Sequence, residues 1–179
     1  MDRRDAVRLL SLAPLAAVGV DLETLQAAAR HAHQASGAPA APAGAPVQPA
    51  RRYRPRTLTV DEYALVTVLG DYVIPRDARS GSASDAGVPA FMDFMAGEYP
   101  GILRWLRDGL GWVSAESRRR VGVGFVSATD AQRRALLDDI AFPATAPAAM
   151  KDGVEFFNRF RDLTAGGFWS SRLGVKDLG

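Results

Sequence analysis

Residues 58–77, LTVDEYALVTVLGDYVIPRD, contain the start, body and stop of one helix. Thr59-Val60-Asp61-Glu62 is a capping box: Thr59 is the expected N-cap, and Glu62 reaches back to the N-cap amide. Val66, Leu69 and Val73 then recur at helical spacing, with Leu65 and Tyr72 flanking the same face. Pro75 lacks the amide needed to continue, so the helix ends there.

The same pattern repeats downstream. After a polar loop at 76–87, Pro89 stands where a helix often begins, and Val88, Phe91, Met92 and Met95 form a short apolar stripe. A longer helix is predicted from about Ile102 to Val121. Leu103, Leu106, Leu110 and Val113 form its apolar side, with Trp105 and Trp112 close by; Gly109 and Gly111 weaken its middle. Ser127 to Asp130 reads as a second capping box, before Leu136, Leu137 and Ile140. A last helix is predicted over about Lys151 to Ala165, with Val154, Phe157, Phe160 and Leu163 on one face. Gly166 and Gly167 are its expected C-cap, followed by a loop-like tail. No segment alternates with the period of two that a strand requires. The expectation is an all-α fold, a single compact domain of about four to six helices.

Upstream of Thr57 the composition changes. Residues 36–50, SGAPAAPAGAPVQPA, hold too little apolar surface to offset the entropy of ordering them, and their prolines favour an extended spacer. Ahead of them, MDRRDAVRLLSLAPLAAV pairs Arg3 and Arg4 with an apolar run from Leu9 to Val20, well short of the roughly 20 residues that span a bilayer. Basic start, apolar run and spacer occur in the order of an export leader, and adjacent arginines point to the twin-arginine route. Asp2 before the arginines, and Asp5 and Ala6 after them, depart from the usual box. The expected organisation is a leader over 1–35, a disordered Ala/Pro/Arg linker over 36–56 and a helical domain over 57–179.

Charge and missing residue types narrow the function. The chain carries +2 overall, but residues 1–56 hold eight of its 22 basic and four of its 20 acidic residues, which leaves the domain with 14 and 16. A near-neutral domain argues against a nucleic-acid partner, and Arg118, Arg119 and Arg120 read as a solvated helix face. Cysteine is absent, which excludes c-type haem attachment and cysteine-held metal. The two histidines, His31 and His33, precede the domain, so a Ser–His triad and a histidine-held di-iron bundle also fail. Asp138 and Asp139 point to different sides of a helix. The glycine pairs at 109/111 and 122/124 follow helices, not strands, and lack the setting of a dinucleotide loop. Asp93, among Phe91, Met92, Phe94 and Met95, is either a buried acid or part of a polar helix face. No catalytic, cofactor-binding or metal-binding residue is assigned.

Three segments, LTVDEYALVTVLGDYVIPRD (58–77), SASDAGVPAFMDF (82–94) and FFNRFRDLTAGGFWSSRLGVKDLG (156–179), carry a resemblance. Asp71 to Pro75, Ala86 to Asp93, and Arg161, Thr164, Gly167, Phe168, Trp169, Ser170, Ser171, Gly174 and Asp177 to Gly179 resemble the motifs of the gluconate 2-dehydrogenase subunit 3 family, in the same order and behind a twin-arginine leader. The resemblance implies a non-catalytic small subunit with no cofactor of its own. Its partner is a large flavoprotein of the glucose–methanol–choline type that holds FAD. The small subunit aids that protein's maturation and carries it through the twin-arginine translocase to the periplasm or the periplasmic face of the inner membrane, where a cytochrome c subunit is a further candidate partner. Motif matches and aromatic content together nominate Phe91, Asp93, Trp105, Trp112, Arg161, Phe168 and Trp169 as the partner interface. The competing expectation is a stand-alone exported helical protein with its own ligand in a closed apolar pocket.

Overall fold

The computed structural model describes residues 53–178, and among them the chain is all-helical. The expected leader with Arg3 and Arg4, and the expected linker as far as residue 52, lie outside the described residues. Six α-helices follow one another: α1 (Val60–Val73), α2 (Val88–Glu98), α3 (Pro100–Val121), α4 (Asp130–Ala141), α5 (Lys151–Trp169) and α6 (Arg172–Leu178). Short 3-10 turns at Phe125–Ser127 and Ala148–Met150 precede α4 and α5.

The capping box at Thr59 forms as expected: Thr59 Oγ1 accepts from the Glu62 amide, and Glu62 accepts from the Thr59 amide at 2.7 Å. The second box sits two residues later than expected. Thr129 caps α4 with Gln132 as its reciprocal partner, because Ser127 closes the 3-10 turn and Ala128 is extended. Gly87 and Gly122 adopt φ of 80° and 78°, which costs a glycine little; they start α2 and end α3.

Helix α5 is the axis of the domain and touches each of the other five. Gly153, Phe156, Phe157, Phe160, Thr164 and Phe168 recur at intervals of three and four, so one wide face is buried. Phe160 and Phe168 are fully covered, each contributing roughly 1.5–3 kcal/mol relative to exposure. Around them lie Val66 and Leu69 of α1, Met92 and Met95 of α2, Leu106 and Val113 of α3, and Ile140 of α4.

The C-terminal region differs from its sequence reading. α5 runs through Gly166 and Gly167 to Trp169, and the tail forms α6 instead of a loop. Neither glycine takes a left-handed conformation. Gly167 instead lets the Phe91 ring of α2 approach, 2.7 Å from where a Cβ would stand.

The arginine run also does more than face solvent. Glu116 is buried and accepts from Arg119 and Arg120, and Arg120 reaches Asp139 of α4 at 2.7 Å. The Arg119 hydrogen bond, with that of Arg120, holds the Glu116 carboxyl down at about 2. Only Arg118 remains outside these pairs as an exposed cation of the run.

Candidate partner-binding groove

Trp105, Asp108, Gly109 and Trp112 are spaced i, i+3, i+4, i+7, so they share one face of α3. Asp152, Glu155, Phe156 and Arg159 repeat that spacing on α5. The two faces meet and enclose an open groove of about 280 Å³ lined by these eight residues.

Two glycines set how closely the helices approach. A methyl group on Gly109 would overlap the Phe156 ring, and one on Gly153 would overlap the Trp112 ring. Each helix therefore seats an aromatic ring in a gap on the other. Trp105 leans on Phe156 with centroids 6.1 Å apart, and Phe156 continues to Phe160 at 5.6 Å, so the groove floor joins the core. Both tryptophans remain half-buried, with part of each indole open to solvent. The rim is charged and exposed: Asp108, Asp152 and Glu155 against the single cation Arg159, which pairs with Glu155 at 3.2 Å. Asp108 and Asp152 form no ion pair among the described residues.

The other nominated residues are placed differently. Phe91 and Phe168 are core residues, 3% and 0% exposed, and offer no surface to a partner. Asp93 is fully buried as well. Its carboxylate accepts from Tyr53 Oη and the Arg56 amide at 2.8 Å, and from the Thr57 and Leu58 amides at 3.0 and 2.7 Å. An ionised carboxylate has about four acceptor positions, and four donors occupy them. With its acceptor positions taken by these four donors, Asp93 clamps the chain entering α1. Of the two readings the sequence left open, Asp93 is the buried acid and not part of a polar helix face, and its carboxylate is surrounded by hydrogen-bond donors.

This clamp moves the domain boundary. Residues 53–56, read as linker, are held against the domain, and Tyr53 stacks on Tyr63 with centroids 5.4 Å apart. Burial, with the Asp93 charge, pushes the Tyr63 phenol up to about 12. Burial raises Tyr53 too, assisted by its hydrogen bond to Asp93. Both therefore stay neutral at ordinary pH.

Trp169 and Arg161 are half-buried. Trp169 meets Phe168 edge-on at 5.0 Å, and Arg161 donates to Asn158 at 3.0 Å. Of the seven nominated residues the groove unites Trp105 and Trp112. The reading missed Asp108, Asp152, Glu155 and Arg159, although the spacings W-x-x-D-G-x-x-W and D-x-x-E-F-x-x-R stand in the sequence.

No group of three or more Asp, Glu, His or Cys among the described residues is placed to hold a metal ion, and no helix there is long and apolar enough to cross a membrane. Fold and groove together define a small all-α domain with an aromatic, acid-rimmed surface trough. A family model described as gluconate 2-dehydrogenase subunit 3 matches residues 60–178, from the first residue of α1 to the last of α6. The chain belongs to that family, whose description is of one subunit of a dehydrogenase complex. No curated protein and no solved structure matches.

Proposed function

We propose that this chain is the non-catalytic small subunit of an exported FAD-dependent sugar or gluconate dehydrogenase. It binds a flavoprotein large subunit of the glucose–methanol–choline type, aids its maturation and carries it through the twin-arginine route. The family match over 60–178 carries the reading. The sequence is consistent with it: residues 57–179 contain neither histidine nor cysteine, and a redox centre held by those ligands has no place in the domain. In this reading FAD belongs to the large subunit, and electrons leave it for a cytochrome or another acceptor outside this chain. The twin-arginine route accepts folded cargo, so a large subunit docked on this domain can travel on a leader over residues 1–35 that carries Arg3 and Arg4.

Replacing Arg3 and Arg4 with lysine tests the escort role. Dye-linked dehydrogenase activity is expected to stay in the cytoplasm, whereas unchanged activity in the periplasmic fraction contradicts it.

A further inference from the structure

We propose that the groove between α3 and α5 receives an arginine side chain of the large subunit; the proposal rests on the small-subunit reading above. Five features of the groove converge on a guanidinium. Trp105 and Trp112 border the trough with half-open indoles, and a planar guanidinium stacks on an indole face more readily than any other cation of a protein. Asp108 and Asp152 stand in the same trough without an ion-pair partner among the described residues, and a carboxylate takes a guanidinium through two parallel hydrogen bonds. The groove's own cation, Arg159, pairs with Glu155, so no cation lining the groove among the described residues pairs with Asp108 or Asp152. The acids stand beside low-dielectric aromatic walls, an arrangement that favours an incoming cation and disfavours an acid. At about 280 Å³ the trough lies just under the range of about 300–1,000 Å³ usual for small-molecule sites, which suits one long side chain.

Arginine and tryptophan are also the residue types that dominate interface energetics. The groove thus supplies a pre-shaped socket: Phe156 and Trp112 are locked by the Gly109 and Gly153 gaps, so a partner pays little entropy to order it.

The test uses the full-length chain with Asp108→Asn/Asp152→Asn, and Asp138→Asn as a control on an exposed acid of α4 outside the groove. Two readouts are taken: retention of the flavoprotein on the tagged chain across a salt series, and tryptophan emission during titration with tetra-arginine and tetraglutamate. The double variant is expected to bind the flavoprotein about tenfold more weakly or worse, with the control unchanged. Tetra-arginine is expected to give a saturable emission change that the double variant loses and tetraglutamate does not reproduce. A flavoprotein held equally by wild type and double variant overturns the groove assignment and leaves the small-subunit reading standing. A wild-type chain that retains no flavoprotein removes that reading and the proposal with it. Absence of a saturable tetra-arginine response overturns the guanidinium chemistry. A wild-type dimer that the double variant converts to monomer places a second copy in the groove and overturns the proposal too.

Discussion

Asp93 accepts hydrogen bonds from three consecutive backbone amides, Arg56, Thr57 and Leu58, and from the phenol of Tyr53. Its removal leaves the Leu58 amide buried without a partner and frees the segment that leads into α1. Asp93→Ala is therefore expected to destabilise the domain by about 3 kcal/mol. Asp93→Asn should cost a comparable amount, because its amide group presents a donor to donors. Urea denaturation of the two variants reads this directly, and a change under about 0.5 kcal/mol, the usual scatter of surface substitutions, contradicts the clamp. The sequence placed Asp93 among apolar residues but did not reveal its role. Three of its four partners are backbone amides, which leave no mark in side-chain pattern. The motif residues behind the family resemblance behave alike. Asp71 accepts from the amide and hydroxyl of Ser84, and the Ser171 hydroxyl accepts from the Gly174 amide, so they stitch one element to the next. That is why nominating partner contacts from those motifs selected Phe91, Asp93 and Phe168, which are interior.

Among the elements, α3 and α5 decide the groove, and their glycines distinguish propensity from packing. Gly109 and Gly111 sit two residues apart in α3, one under the Phe156 ring and one with nothing near its missing side chain. Alanine favours a helix over glycine by about 1 kcal/mol. Gly111→Ala should therefore stabilise by up to that amount. Gly109→Ala should destabilise by about 1–3 kcal/mol as Phe156 is forced aside. The pair of unfolding free energies checks the interlock, and equal stabilisation by both contradicts it. From sequence the two glycines were indistinguishable. Helices α1 to α5 were legible, because apolar spacing and the Thr59 box specify them locally, whereas α6 was read as a loop. Their ends were less so. The glycines at 166 and 167 suit a C-cap equally well, yet α5 runs through both to Trp169, with the Phe91 ring of α2 packed where a Gly167 side chain would stand.

At the scale of the whole molecule, the helical fold was legible because each of α1 to α5 has its own apolar face, and those of α1 to α4 meet α5. The groove was not, because it needs two stripes 47 residues apart in sequence to be brought face to face, and nothing in either stripe specifies that pairing. What results is a domain whose family motifs build the scaffold and whose groove presents half-buried tryptophans beside exposed acids. That division suits a protein that works by holding another.

Purification of the full-length protein from its native host under mild conditions, with a visible absorbance scan and mass spectrometry of what accompanies it, tests that claim most directly. The account predicts a large co-purifying protein with the absorbance of a flavin and dye-linked oxidation of a sugar or gluconate. A lone, colourless and stable monomer would contradict it.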